Sequence, residues 1–189
     1  MKYKLTDETM TTNSGILLHR IECVCGFGNV KAGDKGGWIE KEENLSQNGD
    51  AWVYGDARVY RNARVYGNAL VYGNAWVYGD ARVYDNAWVY GDARVYDSAQ
   101  VCGGAQVYGD AVICNSNDYI VFKNNWSSGR WFTWTRSNDM WKVGCFYGTG
   151  KDLIEKAYKD GKLSGDCYKA YVELVEKLKE ISEKQQQKQ

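Results

Sequence analysis

Gly49-Asp50-Ala51-Trp52-Val53-Tyr54 is followed directly by Gly55-Asp56-Ala57-Arg58-Val59-Tyr60. The unit Gly-Asp/Asn-Ala-x-Val-Tyr recurs every six residues up to Cys114, eleven times without a gap. A period of six excludes helical heptads, which need one near 3.5. Ala and Val lie two apart, so in a strand they point to one side, and the variable residue and Tyr point to the other. The Gly-Asp/Asn pair supplies turn chemistry and tolerates positive φ. Each hexad is therefore a very short strand plus a corner. Three such sides close a triangular coil of 18 residues, with Ala and Val filling a narrow interior and parallel hydrogen bonds linking coil to coil. Eleven hexads make about 3.7 coils, spaced roughly 4.8 Å apart.

This register predicts three outer sides, because residues 18 apart share a column. The first side carries Trp52, Leu70, Trp88 and Gln106 beside Tyr54, Tyr72, Tyr90 and Tyr108. It is apolar enough to need a cover, either another subunit or the C-terminal domain. The second carries Arg58, Trp76, Arg94 and Val112, which suits an Arg-Trp-Arg stack. The third carries Arg64, Arg82 and Gln100 beside Tyr66 and Tyr84. This basic, aromatic side fits an anionic planar ligand, although Tyr and Arg ladders also serve simply to stabilise the sides of a β-helix.

Open coil ends expose backbone groups and need caps. Ile39 and Leu45 continue the inward Ala register backwards, so the helix is expected to begin near Gly37. Gly15–Ile21 reads as a strand, and His19 on it as structural. After the repeat, Tyr119–Lys123, Trp131–Arg136 and Met140–Tyr147 read as a three-stranded meander. Trp126, Trp131, Trp134 and Trp141 crowd it together with Arg130 and Arg136, as core or as a binding platform. Thr149-Gly150-Lys151-Asp152 opens a short helix ending near Gly161. Ser164 is expected to cap a long helix with an apolar stripe at Cys167, Tyr171, Leu174, Leu178 and Ile181, and 185–189 is expected to fray. The expected division is 1–48 for the N-terminal strand and cap, 49–114 for the β-helix, and 115–189 for a small α+β domain.

Composition narrows the chemistry. Of 189 residues, 24 are Lys or Arg and 24 are Asp or Glu, so no bulk charge grips nucleic acid or a membrane. Proline is absent, as suits an unbroken parallel ladder. Nine of the 15 tyrosines occupy the last hexad position, so the aromatic excess is mostly a surface pattern of the coils. The single histidine rules out a three-histidine zinc site. Cys23-Val24-Cys25 lacks zinc-knuckle spacing, and the six thiols are expected to be reduced in a cytosolic chain without signal peptide or membrane span. Tyr147-Gly148-Thr149-Gly150-Lys151 lacks the spacing of a phosphate loop. No metal or cofactor is expected.

The hexads resemble the left-handed parallel β-helix of hexapeptide-repeat proteins, with an aliphatic residue followed by a small one four later (Val53 to Ala57, Val59 to Ala63). Val30-Lys31-Ala32-Gly33-Asp34-Lys35-Gly36-Gly37-Trp38-Ile39-Glu40, followed by Glu43-Asn44-Leu45-Ser46 and the repeat, is similar to a family common in phages and prophages. Its members are often labelled transferases or polymer-forming proteins. Trp141–Gly150 is similar to a small domain also common in phage proteins. The resemblance implies a phage origin and a mainly β fold, a β-helix followed by a meander and two helices. Hexapeptide acyltransferases place a catalytic histidine on or beside the coils, and γ-type carbonic anhydrases need three, whereas no coil here holds one. The expectation is a non-catalytic interaction protein in the cytoplasm of an infected host. It would bind a host defence protein, or alternatively a nucleotide-type immune signal, through Arg64, Arg82, Tyr66 and Tyr84, or through Trp134 and Arg136. Trp52, Leu70, Trp88, Tyr54, Tyr72 and Tyr90 would form the oligomer or domain interface, with trimer favoured over dimer. A hexapeptide acyltransferase-like enzyme is the further alternative.

Overall fold

A computed structural model describes residues 1–186. Eleven two-residue strands, β4 to β14, occupy Trp52–Val53, Arg58–Val59, Arg64–Val65, Leu70–Val71, Trp76–Val77, Arg82–Val83, Trp88–Val89, Arg94–Val95, Gln100–Val101, Gln106–Val107 and Val112–Ile113. They stack in parallel 18 residues apart, as in the pairing of Arg58 with Trp76 and of Trp88 with Gln106. Three flat sides result, so the repeat segment is the β-helix read from the hexads. Every hexad Ala and Val from Ala51 to Ala111 is buried. One alanine and one branched side chain per hexad fill the narrow triangle to interior density without forcing it open. At each corner the left-handed φ falls on the first hexad residue, which is Gly at eight corners, Asp at 85 and 97, and Arg at 61. Corner amides join successive coils, with Asn62 donating to Asp80, Asn68 to Asn86 and Asn74 to Asp92 at 3.0–3.2 Å.

The ladder has a direction. Each coil donates its N–H groups to the carbonyls of the next, as in Trp52 N to Ala69 O at 3.0 Å and Arg58 N to Ala75 O at 2.9 Å. The first coil is therefore left with free carbonyls and the last with free N–H groups, and the two ends need opposite caps. At the first coil, Lys2 Nζ donates to Ala51 O at 2.8 Å and to Gly49 O at 3.2 Å, and Tyr3 Oη donates to Leu45 O at 2.7 Å. Burial pulls the Lys2 ammonium down to about 8. At the last coil, oxygens accept: Thr133 Oγ1 takes Gln106 N at 2.8 Å, Ser137 Oγ takes Val112 N at 2.8 Å, and Asp118 Oδ2 takes Cys114 N at 2.8 Å.

The N-terminal strands β1 (Tyr3–Thr11) and β2 (Leu17–Cys23) form an antiparallel hairpin. It continues through β3 (Lys35–Ile39) into the sheet of β5, β8, β11 and β14. Ile39 and Leu45 are buried in the inward register, so the coil does begin near Gly37.

Four further strands follow in sequential order, not three: β15 (Tyr119–Lys123), β16 (Trp131–Thr135), β17 (Met140–Val143) and β18 (Phe146–Gly148). The single strand expected at 140–147 is a hairpin that turns at Gly144, φ 55°. Helix α1 (Gly150–Asp160) is capped by Thr149, whose hydroxyl accepts from Asp152 N. Helix α2 (Lys162–Gln186) starts two residues before Ser164, which therefore does not cap it. Its buried face is Tyr168, Val172 and Val175, rotated by one residue from the expected stripe. Leu174, Leu178 and Ile181 are exposed instead. Of the expected frayed tail, Gln185 and Gln186 are helical, and 187–189 lie outside the described residues.

The described chain divides into two compact units, Met1–Val121 with Thr133–Asp139, and Phe122–Phe132 with Met140 onward. This division cuts across the sequence boundary at 115. In the second unit, Phe132 packs edge-on against Trp141, Tyr168 and Tyr171. No helix among the described residues is long and apolar enough to cross a membrane.

The corners give a paired stability test. Gly79 and Gly103 share a left-handed φ, but a Cβ on Gly79 would lie 2.8 Å from Asp97 N, whereas one on Gly103 meets nothing within 4 Å. Gly103→Ala is expected to cost about 1 kcal/mol through backbone conformation alone. Gly79→Ala should cost about 1–3 kcal/mol more through overpacking, as measured by urea unfolding.

Candidate functional site

The three sides treat charge differently. On the second, Arg20, Trp38, Arg58, Trp76 and Arg94 follow one another in register. Arg20 lies 4.1 Å from the Trp38 ring centre, and Arg58 and Arg94 flank Trp76 at 5.1 and 5.2 Å. These cations meet an indole face rather than each other. The Arg-Trp-Arg stack read from the sequence is present and runs two residues further, into the N-terminal hairpin. Tyr60, Tyr78 and Tyr96 stack alongside at 5.1 Å spacings.

On the first side, Trp52 is fully buried, and its cover is neither a subunit nor the C-terminal domain. Tyr3, Phe27 and Tyr54 surround it edge-on at 5.4–6.4 Å, because the N-terminal segment folds back over the first coil. Leu70 is half-buried and Trp88 is 39% exposed. Both line a hollow of about 250 Å³ with Phe27 and Tyr54. Tyr72 and Tyr90 stack 4.5 Å apart.

The third side is electrostatically unbalanced. Arg64 and Arg82 are direct register partners with no indole between them. Neither has an ion pair among the described residues. Like charges opposed across neighbouring strands repel. Both line two hollows that also share Glu43. One, of about 430 Å³, adds Lys41, Arg61, Asn62 and Asp80; the other, of about 400 Å³, adds Ser46, Val65 and Tyr66. Both volumes fall within the range of small-molecule sites. The Tyr66 and Tyr84 rings stack 5.0 Å apart and within 1° of parallel. Tyr84 Oη donates to Gln100 Oε1 at 3.4 Å.

Arg64, Arg82, Tyr66 and Tyr84 are thus together as the register requires. Lys41 and Arg61 join them from outside the expected set. For Arg61 a signal existed: it breaks the Gly/Asp rule of the corners, with φ 59°. Its N–H donates to the Glu40 carboxylate, and its carbonyl accepts from Asn44 Nδ2 at 3.0 Å.

The other expected pair is differently placed. Trp134 is buried, its indole N–H donates to Asp139 at 2.8 Å, and Arg136 lies 6.0 Å from its ring centre while bonding Asn117 O. That ring is part of the packed interior and offers no open stacking face. Of the crowded tryptophans, Trp141 is also buried, whereas Trp126 and Trp131 are exposed. His19 Nδ1 lies 3.2 Å from the Thr6 carbonyl oxygen, within the hairpin. All six cysteines are free and only Cys23 is buried. No cluster of metal ligands occurs among the described residues.

Comparison with known proteins meets this geometry at the coils. The YdcK β-solenoid repeat matches residues 63–79, 75–91 and 87–103. The repeat segment is a hexapeptide-repeat β-solenoid. An uncharacterised acetyltransferase, YdcK of Escherichia coli (strain K12), is 37% identical over 60 residues, covering 28% of this chain and 18% of that protein. The matched solenoid segment includes Arg64, Arg82, Tyr66 and Tyr84 but not Lys41 or Arg61.

Beside the third side of the solenoid, Tyr119 Oη donates to Gln100 O at 3.0 Å and accepts from Cys102 N at 3.4 Å. Burial, with the charge of the Cys102 thiolate, pushes the Tyr119 hydroxyl up to about 12. The Cys102 hydrogen bond and burial push Tyr84 to about 12 as well. An unfolded tyrosine ionises near 10. Between about pH 10 and 12 the folded chain keeps protons that the unfolded chain releases, so this contribution, complete below pH 10, is lost as pH rises through that window. Tyr119→Phe is expected to show a shallower fall of unfolding free energy across it than the parent.

Proposed function

We propose that this protein is a non-catalytic recognition module whose third solenoid side holds a small anionic, planar ligand of nucleotide type. The observation that carries this reading is the in-register, unpaired Arg64 and Arg82, each two residues before one of the stacked rings of Tyr66 and Tyr84. A bound anion would relieve the repulsion, guanidinium forks suit phosphate oxygens, and aromatic faces suit bases. Two hollows of small-molecule size support this more than a flat protein surface does. The biological setting implied by the phage resemblance is counter-defence, in which sequestration of a nucleotide signal needs no turnover.

A second reading is supported by the hollow beside Trp88, where an exposed indole meets Leu70, Phe27 and Tyr54. An apolar anchor from a host protein would fit there, since tryptophan and tyrosine dominate binding hot spots. The relative's name supports an acyltransferase instead, and an acetyl-coenzyme A turnover abolished by His19→Ala would replace both readings.

Thermal shift and calorimetry against linear and cyclic nucleotides test the first reading. The parent should be stabilised by a binding nucleotide. Arg64→Ala with Arg82→Ala should weaken that nucleotide at least tenfold, and added salt should weaken it in the parent. An unchanged affinity in the double variant rules out this side as the site.

A further inference from the structure

Arg61 is the exception among the eleven corners. Eight use glycine at the left-handed position and two use aspartate, which tolerates it. Arginine there carries a conformational cost that a glycine would remove. The residue is nevertheless held on both sides, by Glu40 at its N–H and by Asn44 at its carbonyl. No packing explains the choice, because the side chain is exposed. Its effect is to add a third guanidinium to the hollow of about 430 Å³ that Arg64 and Arg82 line.

That hollow brings four cations, Lys41, Arg61, Arg64 and Arg82, against two carboxylates, Glu43 and Asp80. Four positive charges less two negative leave an excess of two. None of the four cations is in an ion pair among the described residues. Asp80 is already an acceptor for Asn62. The adjoining hollow, which shares Arg64 and Arg82, is lined by Tyr66 and Val65 and is nearly free of charge beyond Glu43 and the two arginines.

We infer that the hollow at the Arg61 corner recognises a terminal phosphate monoester as its dianion, with the ligand's planar group over Tyr66, and that Arg61 sets the preference for monoester over diester. This rests on the reading of the third side as the nucleotide site and adds to it the charge of the ligand. A diester carries one negative charge and leaves half the excess unmatched, whereas a monoester above its second ionisation, near pH 6, carries two.

Calorimetry with adenosine 5′-monophosphate, 3′,5′-cyclic adenosine monophosphate, ribose 5-phosphate and inorganic phosphate tests this on the full chain. The monophosphate should bind at least tenfold tighter than the cyclic diester. Ribose 5-phosphate should bind more weakly than the monophosphate and no more weakly than inorganic phosphate. Lowering pH from 7.5 to 5 should weaken the monophosphate about tenfold. The protein's own charged groups facing the ligand are Lys41, Arg61, Arg64, Arg82, Glu43 and Asp80, with Glu40 beside Arg61, and proton uptake by the protein there could only add positive charge and strengthen anion binding. A loss therefore reports the phosphate itself. Arg61→Gly should keep or raise the melting temperature, by about 2–4 °C at most, and should reduce the monoester preference at least tenfold. Arg61→Asp, a residue the corners at 85 and 97 already accept, should abolish it.

Equal affinity for monoester and diester, or a preference unchanged in Arg61→Gly, overturns the inference while leaving an anion site on Arg64 and Arg82 standing. Ribose 5-phosphate binding as tightly as the monophosphate overturns the role given to Tyr66. Absence of binding by all four probes in the parent removes the inference together with the reading beneath it.

Discussion

Every strand in the coiled segment is two residues long, so no strand is stable by itself. What holds the segment is the one-way ladder in which each coil's N–H groups meet the next coil's carbonyls. The rest of the unit answers to that ladder. It forbids proline in the coils and fixes the 18-residue column, and the narrow interior between its sides is filled by alanine and valine, with Ile39, Leu45 and Ile113 admitted only at the two ends. It also gives the coil chemically opposite ends. An ammonium and a phenol donate to the first coil, while hydroxyls and a carboxylate accept from the last.

With interior and backbone committed to the ladder, the outward positions are free to differ, and they do. The second side alternates arginine with tryptophan, so charge is absorbed by indole faces. The first is partly closed by the chain's own N-terminal segment over Trp52. The third sets arginine opposite arginine in register and leaves the charge for something else to neutralise. One repeat thus yields a structural side, a partly covered side and a side with unsatisfied charge. Chemistry of recognition is to be sought where the pattern departs from what stability alone would select.

Much of this was legible in the sequence, since a six-residue period admits few folds and columns follow by counting. The inward Ile39 and Leu45, the Arg-Trp-Arg stack and the gathering of Arg64, Arg82, Tyr66 and Tyr84 all follow from register. Features set by distant contacts were not legible. Thr133 and Ser137 look like ordinary strand and turn residues until the last coil's orphan N–H groups reach them. The buried face of α2 lies one residue away from the expected stripe: Tyr168, Val172 and Val175 and the stripe from Cys167 to Ile181 are both apolar at helical spacing, and only packing decides between them. Phe27 over Trp52 depends on a loop path that no local pattern specifies. Arg61 was visible as a break in the corner rule, but its meaning required the hollow it enters.

The uncompensated arginines of the third side are proposed as a phosphate site. A crystal structure grown with adenosine 5′-monophosphate tests it most directly. Phosphate oxygens should lie within hydrogen-bond distance of Arg61, Arg64 and Arg82, with the base against Tyr66. A phosphate bound elsewhere on the chain, with those three guanidiniums free or engaged by a carboxylate, would contradict it.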